Sequence, residues 1–121
     1  MSSSLLNVTF DCLDAASTAQ FWSAVTGWPW SRQDMPGNPF WVVSEPGRAG
    51  PRLVFVNVPE AKQVKNRVHL DIVANGSQAD ELARLEALGA RVIDDRRHVS
   101  PGGWVVLADP EGNEFDLESG E

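Results

Sequence analysis

One cysteine, two histidines and no apolar run long enough to cross a bilayer set the first limits on this 121-residue chain. A lone cysteine excludes an internal disulfide framework and suits a reducing compartment. Cys12 alternates with apolar neighbours, a setting in which a thiol serves as a small core side chain rather than a nucleophile. Met1-Ser2-Ser3-Ser4 lacks the basic start and apolar segment of a secretory leader, so the expectation is a cytoplasmic protein with no membrane contact. Positive charge is scarce as well. Ten Lys and Arg against seventeen Asp and Glu leave a net charge of −7, which argues against a nucleic-acid partner, because that affinity comes from neutralising phosphates. Lys62, Lys65 and Arg67 form a local basic stretch, read as a solvated loop first and an anion site second. What the chain does have is 42% apolar content with five Trp and five Phe, enough for one compact domain over residues 5–119.

Within that domain the sequence nearly repeats itself. Val8-Thr9-Phe10-Asp11-Cys12 returns sixty residues later as Val68-His69-Leu70-Asp71-Ile72, and self-similarity at a fixed period signals duplicated architecture. Ser17-Thr18-Ala19-Gln20 and Ser77-Gln78-Ala79-Asp80 each place a Ser three residues ahead of a side-chain acceptor, the layout of a helix start. Each helix runs to a glycine, Gly27 or Gly89, able to close it in the left-handed conformation. Trp41-Val42-Val43 is echoed by Trp104-Val105-Val106, and Gly50 and Gly112 each lead into a last strand.

Strand and turn rules then give one plan twice: strand, helix, three strands. The strands are expected over residues 5–12, 29–33, 40–44 and 52–58, then over 67–73, 91–94, 104–108 and 114–117. The helices are expected over 18–26 and 78–88. The modules, 5–59 and 66–118, are too small to fold well alone, so Pro59 to Lys65 reads as a connection and not a domain boundary. In each first strand the apolar row (Val8, Phe10, Cys12; Val68, Leu70, Ile72) should lie under the helix. Thr9 and Asp11, or His69 and Asp71, then face a surface that tolerates polar groups. The fold class is α+β.

Paired modules of this kind, with Phe21-Trp22-Ser23-Ala24-Val25-Thr26-Gly27-Trp28 after the first strand and Leu107-Ala108-Asp109-Pro110-Glu111-Gly112-Asn113-Glu114-Phe115 near the end, resemble the vicinal oxygen chelate superfamily. That group includes glyoxalase I, bleomycin-resistance proteins and extradiol dioxygenases, and the likeness is nearest to its small glyoxalase-like proteins. The resemblance implies two tandem βαβββ modules forming a curved, half-barrel-like mixed sheet with helices on the convex side, and a homodimer. It also implies a divalent metal held by residues from the first and last strands of each module, acting as a Lewis acid on neighbouring substrate oxygens. At those positions stand His69 and Asp116 in the second module. In the first stand Thr9, or Asn7 if the strand slips by two, and Val54. Two of four positions carry good donors, so the family metal site is incomplete.

The remaining candidates have competing readings. His69 beside Asp71 is either an acid/base pair or a hydrogen-bonded structural histidine. Asp71 is repeated by Asp11, which suits an anchor for backbone or helix-end N–H groups in both modules. Trp41 and Trp104, equivalent by repeat, suit packing first and the wall of a ligand pocket second. His98, in the Gly-bearing loop 96–103, reads as exposed. Three functions stay open: a small-molecule binding protein whose ligand meets Thr9, Asp11, Trp41, His69, Asp71, Trp104 and Asp116; an enzyme with His69 as metal ligand or general base; or a partner-binding protein with a vestigial pocket. Ligand identity depends on the expected pocket walls, Arg32 to Pro39 and Gly47 to Pro51.

Overall fold

A computed structural model describes residues 1–47, 50–99 and 101–120. Of the expected wall 47–51, Arg48 and Ala49 lie outside the described residues, as does Ser100 of the loop 96–103. The chain forms two compact units, Met1–Ala61 and Lys62–Glu121. The first contains β1 (Asn7–Cys12), α1 (Ala15–Thr26), β2 (Trp30–Gln33), β3 (Phe40–Val43) and β4 (Arg52–Asn57). The second contains β5 (Leu70–Val73), α2 (Gln78–Leu88), β6 (Arg91–Asp95), β7 (Val105–Ala108) and β8 (Glu114–Glu118). Their sheets have matching orders, β1-β4-β3-β2 and β5-β8-β7-β6. In both, the first and last strands run parallel and the other neighbours antiparallel. Each unit is therefore a βαβββ module, and the α+β reading holds. No helix among the described residues is long and apolar enough to cross a membrane.

The helix starts differ between the units. In the second, Ser77 caps α2 as expected, its side chain accepting the Asp80 N–H at 3.0 Å. In the first, the cap is Asp14, not Ser17: its carboxylate accepts the Ser17 N–H at 3.1 Å, so α1 begins one turn earlier than the serine signalled. Asn57, at the end of β4, accepts the Ala15 N–H at 2.8 Å and takes up another donor of the helix's first turn. These contacts displace the expectation that Asp11 and Asp71 anchor helix ends. Both helices stop at glycines in the left-handed region, Gly27 at φ 75 and Gly89 at φ 114.

Side chains in register on neighbouring strands point the same way, so pairing fixes the two faces of each sheet. In the first unit Phe10 stacks on Phe55 with ring centroids 4.8 Å apart, and Trp22 of α1 tilts against Phe10 at 5.6 Å. Trp41 sits opposite Phe55 and so belongs to this helix-covered face, where it is 9% exposed. In the second unit Leu85 of α2 is fully buried, as are Phe115, Leu117, Val105 and Leu107. Each such side chain contributes about 1.5–3 kcal/mol by leaving water. Because Val105 pairs with Leu117 on that inner face, Trp104, one residue earlier, projects to the other side. The Trp41/Trp104 echo is therefore not a structural equivalence: its spacing is odd where that of the first strands is even, and an odd shift exchanges faces.

The strand expected from Arg67 starts instead at Leu70, opposite Phe115, and Val68 is 76% exposed. The chain ahead of it is tied differently. Glu114, the first residue of β8, accepts the Asn66 N–H with Oε2 at 2.9 Å and the Lys62 ammonium with Oε1 at 2.9 Å. The turn leading into β8 is built on Asp109, 4% exposed, whose Oδ1 accepts the N–H groups of Glu111 and Asn113, each at 2.9 Å.

Candidate functional site

The outer face of the second sheet carries the polar row of β8, Glu114, Asp116 and Glu118, while Phe115 and Leu117 point inward. Asp71 stands in register with Asp116 on the adjacent parallel strand, which puts two carboxylates side by side. His69, two residues before Asp71, joins them on the same face. Its Nε2 lies 3.3 Å from Asp116 Oδ2 and 3.4 Å from Asp71 Oδ1. One donor atom from each of the three residues falls within 4.8 Å of the others. The side chains are graded in exposure, Asp71 at 55%, His69 at 42% and Asp116 at 14%, so the group opens to solvent on one side. Around it, Lys65, Trp104, Val106 and Glu118 line an open cleft of about 630 Å³.

Electrostatics on this face follow from crowding like charges on a partly dry surface. Burial pushes the Asp116 carboxyl above the usual range and Asp71 adds to the shift, while His69 and Lys65 oppose it. Glu118 is raised by burial first, then by Asp71 and Asp116. Glu114 goes the other way: burial pulls it upward, but the Asn66 N–H and the Lys62 ammonium together outweigh that and hold it below its ordinary value.

The residues singled out from sequence divide accordingly. His69, Asp71, Asp116 and Trp104 come together on one sheet face. Thr9 and Asp11 are exposed on the first unit's sheet, opposite Val54 and Val56. Trp41 is a core side chain, which removes it from the ligand-contacting set. Asn7, the alternative to Thr9, is engaged by Arg52, whose Nε donates to Asn7 Oδ1 at 3.0 Å. The counterpart of Asp116 is also corrected. Asp11 lies opposite Val56 as Asp71 lies opposite Asp116, so Val56 holds the equivalent place and Val54 matches Glu114. Both are valines, so the first unit still supplies no carboxylate there. His98 is exposed, as expected. Sequence reasoning missed Glu114 and Glu118 as parts of the site and favoured a solvated loop for Lys65. The signal for the two glutamates was available: Glu114, Asp116 and Glu118 alternate at the period of a strand.

The donor set suits a divalent cation. One imidazole and two carboxylates, with an open side, are ligands that Zn, Mn and Fe accept. His69, Asp71 and Asp116 supply these donors from one unit.

Comparison with known proteins agrees with the fold. A family model described as a glyoxalase-like domain matches residues 7–118. Among solved structures, a fosfomycin resistance protein, FosX, from Listeria monocytogenes, an E126Q mutant complexed with Mn(II) and 1S,2S-dihydroxypropylphosphonic acid, is 19% identical. It superposes with a TM-score of 0.76, over 100% of this chain and 95% of that one. TnmS3, an antibiotic binding protein from Streptomyces sp. CB03234, is 20% identical with a TM-score of 0.70, over 98% and 96%. The trypanothione-dependent glyoxalase I of Leishmania major is 13% identical with a TM-score of 0.72, over 98% and 87%. No curated protein matches the chain in sequence. With the family model spanning almost its whole length and both βαβββ modules in place, the chain belongs to the glyoxalase-like domain family of the vicinal oxygen chelate superfamily.

Proposed function

We propose that this protein binds a small molecule in the cleft on the second unit's sheet, with a divalent cation held by His69, Asp71 and Asp116 as part of the binding site. The observation that carries this reading is the convergence of three donor atoms within 4.8 Å at the floor of an open cleft. A cation there supplies Lewis-acid polarisation to oxygens of the ligand. The chain's own residues supply the rest. Trp104 and Val106 give the cleft an apolar wall against which a planar or aliphatic part of the ligand can pack. Asp116, mostly buried between strands, is held rigidly by β8, whereas His69 and Asp71 at the open side can adjust to what enters. The crowding of Asp71, Asp116 and Glu118 is relieved when a positive charge binds among them.

The test is Mn(II) titration followed by the loss of the free-ion electron paramagnetic resonance signal. One ion per chain is expected, with binding abolished in His69→Ala. Wild-type protein that takes up no Mn(II), Zn(II) or Fe(II) would sink the reading.

A second reading keeps the cleft but dispenses with the metal. His69, flanked by carboxylates at 3.3 and 3.4 Å, has the partners that orient a general base. Turnover of a ligand that survives exhaustive chelation and is lost in His69→Ala would favour it. Self-association into a homodimer belongs to the same proposal. Leu5, Leu6 and Val68, exposed beside β1 and β5, support it, and sedimentation equilibrium checks it.

A further inference from the structure

Glu114 clamps the strap that precedes β5. Its two carboxylate oxygens reach different residues of that strap, the Lys62 ammonium and the Asn66 N–H, both at 2.9 Å. Lys62 also donates to the Val64 carbonyl, closing the strap on itself. The clamp is sheltered, with the Lys62 and Glu114 side chains 22% and 13% exposed, so solvent screens it less than a surface pair. Between the two clamped residues stands Lys65. It lines the cleft beside His69, acts electrostatically on Asp116 and makes no ion pair among the described residues. The charges then sort themselves. Lys62 is matched by Glu114, and the two aspartates are matched by the divalent cation of the proposed site. Lys65 then remains as the ammonium that lines the cleft beside the proposed cation.

From this juxtaposition we infer that Lys65 selects ligands bearing an oxyanion, a carboxylate or phosphoryl group, and that Glu114 is the positioning residue that holds Lys65 in place. The inference deepens the proposed function and rests on it: the cation meets one end of the ligand and the ammonium the other. A rigidly placed ammonium loses less freedom on binding than one on a mobile loop, which is why the clamp matters to affinity.

Calorimetric titration of inorganic phosphate into Mn(II)-loaded protein tests it, alongside Mn(II) titration of the same variants. Lys65→Met should bind phosphate about tenfold more weakly, the loss of one charge-assisted contact. Its Mn(II) affinity should be unchanged or slightly improved, because a like charge near Asp116 is gone. Glu114→Gln keeps an acceptor for Asn66 but loses the ion pair, and should also weaken phosphate while retaining Mn(II). In the double variant the Glu114→Gln effect should vanish, since a positioning residue has nothing left to position. Additive losses would overturn the role of Glu114, and unchanged phosphate affinity in Lys65→Met would overturn that of Lys65. Wild type that binds Mn(II) but no phosphate refutes this inference and leaves the proposed function standing. Wild type that binds no metal refutes the proposed function, and the metal-free phosphate titration then decides Lys65 by the same comparison.

Discussion

Asp116→Asn should make the metal-free protein more stable at neutral pH while destroying its affinity for a divalent cation. Asp116 and Asp71 approach within 4.8 Å on adjacent strands. Two unit charges at that separation repel by about 1 kcal/mol in bulk water and by about 3–4 kcal/mol at the effective dielectric near a protein surface. Asp71 is 55% exposed, which places the pair toward the watery end. A gain of about 1 kcal/mol is therefore expected for the variant, the desolvation of the Asp116 carboxylate adding to it and the lost attraction of His69 taking from it. Asp116 titrates above its unfolded value. As pH rises, the unfolded chain releases this proton before the folded one, so the group favours folding below the ordinary carboxylate range and that contribution is lost as pH climbs through the folded pKa. The advantage of Asp116→Asn should thus be full at pH 7 and shrink to nothing below about pH 4. Urea unfolding followed by tryptophan fluorescence at several pH values reads this directly. Saturating Mn(II) should reverse the order at pH 7, stabilising wild type by about 2.7 kcal/mol at one hundred times Kd and leaving the variant unmoved. A metal-free variant less stable than wild type by 1 kcal/mol or more would refute the reasoning, for Asp116 would then be holding the sheet together and not waiting for a cation.

Two further outcomes separate fold from site. Asp109→Ala should cost about 1–2 kcal/mol in urea unfolding, because it strands the part-buried N–H donors of Glu111 and Asn113 in the turn before β8. Asp109→Asn, which keeps the Oδ1 acceptor, should recover much of that loss. Trp41→Ala should cost about 3–5 kcal/mol through the cavity it leaves, whereas Trp104→Ala should cost far less and act instead on ligand affinity, measured by calorimetry.

The modular plan was legible in the sequence because its signals are local. The strand alternation, the Ser77 cap and the two glycine stops each act over a few residues, and each appears where the sequence places it. Signals that depend on pairing were less legible. The Trp-Val-Val echo looks like an equivalence, yet Trp41 and Trp104 fall on opposite faces because an odd number of residues separates them, while β3 and β7 meet their partners in registers of the same parity. Ser17 resembled a cap, but Asp14, one turn earlier, has the stronger acceptor and lets Asn57 reach Ala15. Within the site, His69, Asp71 and Asp116 were visible from alternation and family position. Glu114 shares that alternation, but its hold on Lys62 and Asn66 comes from a strap folding back onto β8, a contact that no spacing encodes.

The common register of the two sheets has an evolutionary consequence. Asn7 stands opposite Arg52 as Leu70 stands opposite Phe115, so each position on one unit's outward face has a defined twin on the other. Asp11 already occupies the place of Asp71. The sheet with a cation-ready face and the sheet without one thus differ at the three donor positions by only two side chains, Thr9 for His69 and Val56 for Asp116. On the proposed reading, a duplicated module loses or regains its chemistry through a pair of substitutions, each on the outward row of its sheet.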